Sequence, residues 1–296
     1  MAVDINRDTT GVQLPPEVSQ EIWQKVQDAS VVMGLAQKVE LSGAGTVYHE
    51  VLTDSVPKFV GETARKPVSN PTIGNKLLKA HKIAVVQTYS DEFKRDLPGL
   101  FNALIGRLPG TLARTFDLAA LHGVGAPSAD FDDLSGAAEV SIANAVAGST
   151  DAYAGFLAAL AAVPDLNAWA LSPQGEVTAL SNRDTSGGPI LVGSAARDGS
   201  VGSIVGRPVF RSGNAYQAGT PNVLGIGGDW TKARWGQVEA ISIDISGNPV
   251  FDDEGNLITA GWQDNMFSVR AEIHVGFIAD DSQFVRLTDE VAGDGS

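Results

Sequence analysis

The stretch VPKFVGETARKPVSN, residues Val56–Asn70, is basic and rich in proline within an acidic protein. Between Val56 and Lys82 the chain has six cations and a single acid, Glu62, so this segment carries a charge of 6 − 1 = +5. The whole chain of 296 residues carries a net charge of −14. A basic segment of this kind on an acidic chain raises the question of which surface it contacts.

Strand patterns on both sides of this stretch predict an extended hairpin. In TVYHEVL, residues 46–52, Val47, His49 and Val51 share one face, and the chain is strand-like again from Leu77 to Thr88. The hairpin has few apolar side chains near its tip, so we do not expect it to be stable alone. Its charge favours an identical neighbouring subunit as the partner. Repeated head-to-tail contacts of this kind build rings or closed shells, whereas the alternative is a solvated loop without a partner.

The composition excludes several classes of protein. With 43% hydrophobic and 19% charged residues, the chain is globular rather than disordered. It has no cysteine, which excludes disulfides, thiolate metal sites and cysteine nucleophiles. The acidic balance argues against a broad nucleic-acid footprint. No signal-peptide pattern begins the chain, and the apolar run at 154–163 is too short to span a membrane, so we expect a cytosolic protein without membrane contact.

Helical patterns dominate the first half of the chain and strand patterns the second. Helices are predicted at 17–29, at about 90–122, from 150 or 151 to 162, and over QGEVTALSNR. The second is expected to run from a Ser90 cap across Pro109 to a stop at Gly123. Strands are predicted in NAWALSP, GGPILVG, GRPVFRS, VLGIGGDW, VEAISIDIS and MFSVRAEIHVGFIA. Because helices and strands do not alternate strictly, this order favours an α+β fold.

The sequence contains no recognisable catalytic or ligand-binding constellation. The histidines occur singly and are interpreted as exposed strand or helix-end residues: His49, His81, His122 and His274. Ser55 and Lys58 have the spacing of an SxxK motif, but no companion motif follows. GVGAPS and GIGGDW do not match a dinucleotide-binding loop, and DDEGN is interpreted as an ordinary acidic turn rather than a calcium loop. The adjacent acids are expected to point apart on strands: Asp132 with Asp133, and Asp280 with Asp281. We therefore predict no enzyme activity, no metal and no cofactor.

The order of these features resembles that of the major capsid proteins of tailed bacteriophages, which have the Hong Kong 97 type fold. FVGETARKPVSNPTIGNKLLKAHKIAVVQTYSDEF, residues 59–93, resembles that family's E-loop and its descent into the spine helix. ARTFDLAALHG resembles the end of the spine helix, and GGDW resembles a late turn. WALSPQGEVTALSNRDTSGGPIL and IVGRPVFRS resemble axial-domain strands, and MFSVRAEIHVGFIADDSQFVRLT resembles the closing peripheral-domain strand. The matching residues are Phe59, Gly61, Glu62, Lys82, Ile83, Ser90, Glu92, Asp117, Gly123, Asp229, Arg270, Phe284 and Leu287.

The resemblance covers nearly the whole chain and implies an α+β, Hong Kong 97 type capsid fold with an N-arm, an extended E-loop hairpin, a long spine helix, a peripheral P-domain and an axial A-domain. The implied segments are an N-terminal arm and short helix at 1–29, an E-loop at 44–82, a peripheral domain at 30–43, 83–131 and 246–296 with its spine helix at about 90–122, and an axial domain at 132–245.

The implied function is that of the major capsid protein of a tailed double-stranded DNA phage. Such a protein self-assembles as hexamers and pentamers into an icosahedral head that encloses the genome without sequence-specific binding. The implied partners are other copies of the chain and a portal protein, with separate scaffolding or decoration proteins left open. The implied location is the virion capsid, assembled in the host cytoplasm. Because the chain begins at the arm, we expect scaffolding to come from a separate protein or to be dispensable.

The residues expected to contact a neighbouring subunit are Lys58, Phe59, Glu62, Arg65 and Lys66. Some family members also join an E-loop lysine to a neighbour's asparagine, which here would involve Lys58 or Lys66 with Asn265. The sequence identifies no buried carboxylate beside such a pair, so we do not favour this crosslink. The alternative function is an encapsulin, a bacterial nanocompartment shell of the same fold, and a more distant one is an acidic cytosolic hydrolase.

Overall fold

The computed structural model describes residues 25–27, 29–43, 45–53, 55–62, 65–92, 106–127, 130–142, 152–180 and 202–289. The helices with described bounds are α1 (Val31–Leu35), α2 (Leu108–His122), α3 (Ala152–Ala162) and α4 (Pro173–Leu180), with 3-10 turns at Gly213–Ala215 and Asp281–Gln283. Residues 25–27 and 29, inside the helix predicted at 17–29, and residues 91–92 are also helical. The strands are β1 (Gln37–Glu40), β2 (Thr46–Thr53), β3 (Thr72–Leu78), β4 (His81–Ser90), β5 (Ala138–Ser141), β6 (Ala168–Leu171), β7 (Ser203–Ile204), β8 (Arg207–Arg211), β9 (Val223–Gly228), β10 (Arg234–Ser246), β11 (Val250–Phe251), β12 (Leu257–Thr259), β13 (Met266–Ile278) and β14 (Phe284–Thr288). This mixture of helices and largely antiparallel sheets confirms the predicted α+β class.

The first main sheet has the strand order β1-β10-β13-β4. Strand β1 is parallel to β10, and the other neighbours are antiparallel. The predicted core face of β13 is buried at Phe267, Val269, Ala271, Ile273 and Val275, and on the other face Arg270 is exposed, although Ser268 is buried. The buried face carries helix α2, whose Phe116 ring lies 6.3 Å from the ring of Phe277. One face of this sheet therefore holds the main core and the other meets solvent.

Helix α2 is shorter than the predicted helix at about 90–122. A turn at 106–107 precedes it, and Pro109 lies in its first turn. The prediction of one helix running through Pro109 is therefore wrong, because proline lacks the backbone N–H and its ring clashes with the preceding turn of a helix. Ser90, predicted to cap this helix, is the last residue of β4, and Asp91 and Glu92 directly after it are helical, as predicted. Residues 93–105 lie outside the described residues.

The end of α2 follows the prediction. Gly123 has a φ of +68°, a left-handed conformation that glycine adopts without strain. Its N–H donates to the Ala119 carbonyl at 3.0 Å, and the Val124 N–H donates to the Leu118 carbonyl at 3.2 Å. Two carbonyls of the last turn that lack a partner within the helix are thereby satisfied.

The second main sheet has the strand order β5-β14-β9-β6-β8-β7. Strand β6 is fully buried, as predicted for NAWALSP. Helix α3 packs against it through Phe156, whose ring lies 5.2 Å from that of Trp169. The glycines of GIGGDW belong to β9, where a Cβ on Gly227 would overlap the Trp169 ring and one on Gly228 would overlap the Phe284 ring. This glycine cluster therefore makes room for aromatic rings in the core.

Strands β2 and β3 form a hairpin, as predicted, with antiparallel pairing from Thr46–Leu78 to Thr53–Thr72, but its second strand is Thr72–Leu78 and lies earlier in the chain than predicted. The predicted continuous strand from Leu77 to Thr88 is wrong, because residues 79–80 are not in a strand and separate β3 from β4. At this break the Lys79 carbonyl packs so closely on Gly276 of β13 that a Cβ there would overlap it. The hairpin is consequently a separate two-stranded sheet.

Strands β11 and β12 form another two-stranded sheet in the connection from β10 to β13. The Asp252 carboxylate organises its turn by accepting hydrogen bonds from the N–H groups of Glu254 at 3.0 Å and Asn256 at 2.7 Å. These bonds, with the Asn256 side-chain amide first, lower the pKa of Asp252. The interpretation of DDEGN as an ordinary acidic turn agrees with this geometry.

Sheet membership crosses the expected limit between the axial and peripheral segments at 245/246. Strand β10 belongs to the first main sheet, and β14, in the segment expected to be peripheral, belongs to the second. Much of the expected N-terminal arm and parts of the expected axial segment, at 1–24, 143–151 and 181–201, lie outside the described residues. The domain limits therefore stay a prediction.

Candidate assembly interface

The segment between β2 and β3, here called the 55–71 loop, lies on the surface at every described residue. Phe59 is fully exposed, and Val68 is 90% exposed. Large apolar side chains without contacts on their own subunit are typical of surfaces that bind a partner. The sequence indicated the charge of this loop, and the structure adds its exposed apolar groups.

The base of the loop is closed by two serines. The Ser55 hydroxyl donates to the Ser69 carbonyl at 3.2 Å, and the Val56 N–H donates to the Ser69 hydroxyl at 3.1 Å. Ser55 of the SxxK spacing thus has a structural role. Because the two limbs are joined here, the loop leaves the hairpin as one unit.

Three of the six cations counted in the basic segment are paired within the chain. Their nitrogen–oxygen pairs are Lys76–Asp132 at 2.9 Å, Lys79–Asp130 at 3.8 Å and Lys82–Glu272 at 3.3 Å. The sequence count of +5 therefore overstates the charge available to a partner, because the fold brings distant carboxylates to these three lysines.

The other three cations, Lys58, Arg65 and Lys66, form no ion pair with any residue in the described part of the chain. Glu62 is the only acid among the described residues of the loop, which leaves a charge of 3 − 1 = +2. The residues predicted to contact a neighbour are thus gathered on one exposed loop, together with Phe59. Their contact with a neighbour remains a prediction.

An acidic hollow lies where β3 meets the body of the protein. It has a volume of 470 Å³, and its lining includes Asp132, Asp133, Asp280, Asp281 and Lys76. The expectation that these acids point apart on strands is wrong, because neither pair lies in a strand. Burial, and then the charges of Asp133 and Asp132, raise the pKa of Asp281. Lys76 donates to the Asp132 carboxylate and to a main-chain carbonyl at 2.5 Å, and so fastens the hairpin to the body.

Asp117, one of the residues that carried the resemblance, is completely buried in α2. Its carboxylate accepts hydrogen bonds from the Ser30 hydroxyl at 2.6 Å, the Val31 N–H at 3.1 Å, the Val32 N–H at 3.3 Å and the Asn214 amide at 2.7 Å. Burial raises its pKa, and these four hydrogen bonds oppose that rise. The residue caps α1 and joins it to α2 and to the 3-10 turn at Gly213–Ala215. Its role is structural.

Four more of the residues behind the resemblance, Asp229, Phe284, Leu287 and Arg270, have structural roles. The Asp229 carboxylate accepts from the Asn167 amide at 2.8 Å and from the Thr231 hydroxyl at 2.6 Å, which closes the turn after β9. Phe284 and Leu287 are buried in β14. Arg270 donates to Asp244 at 2.7 Å, on the solvent face of the first sheet. These residues build the subunit and leave the 55–71 loop as its candidate contact.

The interpretation of all the histidines as exposed is wrong for His122. This residue is 5% exposed at the end of α2, and its Nε2 lies 3.1 Å from the Asn214 carbonyl. Burial is the main reason that the pKa of His122 falls to about 4. The imidazole is therefore neutral at pH 7, with its Nε2–H donating to that carbonyl. His81 and His274 are partly buried, and the side chain of His49 lies outside the described residues.

Among the described residues there is no group of three or more histidines and acids placed to hold a metal ion, and no helix long and apolar enough to cross a membrane. Asn265 is exposed in the turn before β13, with a φ of +51°, and its carbonyl accepts from the Asp91 N–H at 2.9 Å. The crosslink of Asn265 to Lys58 or Lys66 of a neighbour stays an untested possibility that the sequence did not favour.

The whole chain is similar in sequence and in fold to known proteins. The Phage capsid family matches residues 10–288. The probable major capsid protein gp17 of Mycobacterium phage D29 is 27% identical over 95% of this chain and 92% of the relative, and that of Mycobacterium phage L5 is 26% identical over 93% and 89%. A solved structure from Mycobacterium phage Adephagia has a TM-score of 0.71 at 18% identity, covering 89% of this chain and 91% of the other. The chain belongs to the phage capsid family.

Proposed function

We propose that this capsid protein is the subunit of an icosahedral head, assembles as hexamers and pentamers, and encloses double-stranded DNA. One observation carries the proposal: the 55–71 loop exposes Phe59 completely beside cations that have no partner among the described residues. A hairpin of two strands with such a loop is poorly stable alone, so a surface on a neighbour explains why it is built this way. The loop then acts as a strap between subunits.

In this proposal the loop and the body of the subunit have different tasks. Lys58, Arg65 and Lys66 supply charge that orients the encounter with an acidic neighbour, with Glu62 as an opposite charge in the same contact. Phe59 supplies apolar area that is removed from water on contact. The proposed N-arm ties neighbouring capsomers, and the proposed axial domains meet at the capsomer axes.

The net charge of −14 fits a shell that holds DNA without gripping it. DNA binding through phosphates requires clustered lysine and arginine, and its strength rises with the number of phosphates neutralised. An acidic wall repels phosphate, so the genome can be packed without sticking to it. A portal protein and separate scaffolding or decoration proteins complete the proposed set of partners, and the host cytoplasm is the proposed site of assembly.

The encapsulin alternative is not favoured, because the curated relatives are probable major capsid proteins of phages and the family is that of phage capsids. Family membership also argues against the hydrolase alternative. We keep the phage head as the proposed function.

Negative-stain electron microscopy of the purified protein, with sedimentation velocity on the same sample, tests the proposal. Uniform shells, rings or capsomer-sized particles are the expected result. A monomer at every concentration, unchanged when lysate of phage-infected cells supplies scaffold, would contradict it. The experiment with lysate distinguishes a protein that needs a scaffold to assemble from one that does not assemble at all.

A further inference from the structure

A short segment, residues 212–217, connects helix α2 to the second main sheet. At one end the Ser212 N–H donates to the Leu171 carbonyl of β6 at 2.9 Å. At the other end the main chain of Gln217 exchanges two hydrogen bonds with Val223 of β9, at 3.1 Å and 2.9 Å. Between these ends the segment is bonded to α2, which packs on the first main sheet. The segment therefore holds α2 and the second main sheet together.

Asn214 is the residue through which this segment binds α2. Its side-chain amide donates to the Asp117 carboxylate at 2.7 Å. Its main-chain carbonyl lies 3.1 Å from Nε2 of His122, the last residue of α2. One residue of the segment thus binds two side chains of the same helix, and the bond to His122 uses the proton on Nε2.

The His122 ring has no acceptor for a second proton. Its Nδ1 is buried and forms no hydrogen bond with any residue that the structure describes. Arg286 of β14 faces the ring, and its positive charge opposes protonation. This guanidinium is held in place, because it donates to Glu139 of β5 at 2.8 Å and to Gln217 at 3.1 Å. A second proton on His122 would therefore place one buried positive charge beside another.

The ionisable groups around this site are bonded elsewhere. Asp117, on α2 itself, accepts four hydrogen bonds, and Glu139 is paired with Arg286 at 2.8 Å. Asp133, in the segment after α2, accepts from a main-chain N–H at 2.9 Å, and the Tyr216 hydroxyl donates to an asparagine at 3.3 Å. In the described part of the chain, no hydrogen bond joins any of these groups to the imidazole. A protonated ring in this position therefore gains no ion pair.

We propose that His122 forms a proton-operated joint between α2 and the second main sheet: the neutral ring holds residues 212–217 on α2, and protonation releases them while both main sheets stay folded. Release takes the new charge out of its buried site and breaks few hydrogen bonds, so it requires less than global unfolding. Since α2 packs on the first main sheet, the second sheet can then shift relative to it. The inference concerns the single subunit and does not depend on how copies assemble.

Native-state hydrogen exchange of the full chain tests the joint, read at the amides of residues 212–217. The pKa of His122 is about 4 when the joint is closed and about 6.5 when the ring meets water. After correction for the intrinsic effect of pH on exchange, opening should therefore increase at least about tenfold, and up to about fiftyfold, between pH 7 and pH 4.5. A local opening exposes little surface, so this exchange should not respond to urea below the unfolding transition.

A glutamine variant distinguishes His122 from the other groups that titrate in this range. His122→Gln keeps a donor for the Asn214 carbonyl and should abolish the increase in exchange. His274→Gln, which alters another partly buried histidine, is the matched control and should retain it. In the parent chain, the 13C signal of the His122 ring gives a second measurement and should report a pKa of about 4.

Three outcomes would overturn the inference. The first is an equal increase in exchange in the parent and in His122→Gln. The second is a ring pKa near 6.5 in the folded parent, which would show that the closed site accepts the proton. The third is exchange at residues 212–217 that follows urea as the core of β13 does, which would show that acid acts only through global unfolding. The ring measurement needs no variant, so the test stands even where His122→Gln does not fold.

Discussion

A single carboxylate, that of Asp117, joins three parts of the chain that are far apart in sequence. It is acceptor-only when ionised, and four donors from α1, its cap and Asn214 point at its two oxygens. Hydrogen bonds to a charged acceptor are stronger than neutral ones, and a buried donor left without a partner is costly. The packing of α1 against α2 therefore depends on this side chain.

Replacing Asp117 by Asn should destabilise the subunit by about 2–4 kcal/mol, because the amide offers one acceptor oxygen and turns N–H donors toward other donors. Urea unfolding of the unassembled subunit measures this change. Asp165→Asn, at an exposed position, is the matched control and should stay within about 0.5 kcal/mol of the parent. A loss below about 0.5 kcal/mol for the Asp117 variant would contradict the assigned role.

His122 should make the subunit acid-sensitive. Its pKa is lowered to about 4 in the folded state, against about 6.5 for an unperturbed histidine. The unfolded chain therefore binds a proton in this interval that the folded chain excludes, so stability falls as the pH drops from about 6.5 to about 4.

A His122→Gln variant should lose on the order of 2 kcal/mol less stability than the parent between pH 7 and pH 4.5. Glutamine keeps a donor for the Asn214 carbonyl but has no titration, so the comparison isolates the imidazole. Urea unfolding at the two pH values supplies the measurement. Equal pH slopes for variant and parent would show that His122 does not titrate in this way.

At the scale of elements, glycines decide how closely strands and rings approach. In β9 the absence of a side chain at Gly227 gives the Trp169 ring its place against the sheet. In α2 the position of Gly110 is open: apart from its chain neighbours and the backbone of its own helix, no atom of the described residues lies within 4 Å of where a Cβ would lie. The two glycines look alike in sequence, but their surroundings predict opposite effects of substitution.

Gly227→Ala should destabilise the subunit by about 1–3 kcal/mol, because the new methyl overlaps Trp169 and lies 3.0 Å from a Leu166 methyl. Gly110→Ala should instead stabilise it by up to about 1 kcal/mol, because alanine favours a helix over glycine. Thermal unfolding of both variants beside the parent tests the pair. The same sign of change in both would refute this account of the two sites.

Other elements show where the prediction from sequence succeeded. The alternation along Met266–Ile278 correctly predicted both the strand and its buried face, since a period of two depends only on the local order of residues. The predicted start of helix α2, at about residue 90, was wrong, because the helix begins at Leu108. Apolar spacing extends through Pro109, but the missing N–H of proline prevents the helix from doing so.

At the scale of the whole molecule, electrostatics should control assembly through the 55–71 loop. Arg65→Glu together with Lys66→Glu reverses the charge of the loop without altering any ion pair found within the described residues. We expect the concentration required for assembly to rise at least about tenfold, about 1.4 kcal/mol per contact, because attraction becomes repulsion.

Sedimentation velocity across a concentration series measures this shift, and circular dichroism checks that the subunit is still folded. Arg114→Glu with Lys232→Glu changes the net charge equally at exposed positions elsewhere and serves as the control. The defect should also shrink at high salt, where exposed charges are screened. Normal assembly of the Arg65 and Lys66 variant would show that the contact does not depend on these charges.

The sequence by itself determined the α+β class, the hairpin, the alternating strand at Met266–Ile278 and the family, because period, turn residues and the order of motifs are local properties of the chain. It also indicated which loop carries the unusual charge. Only the tertiary structure decided which of those charges stay available, since Lys76, Lys79 and Lys82 find carboxylates far away in sequence. It also gathered four aspartates into one hollow and buried His122. Ion pairing, burial and placement depend on residues that only folding brings together.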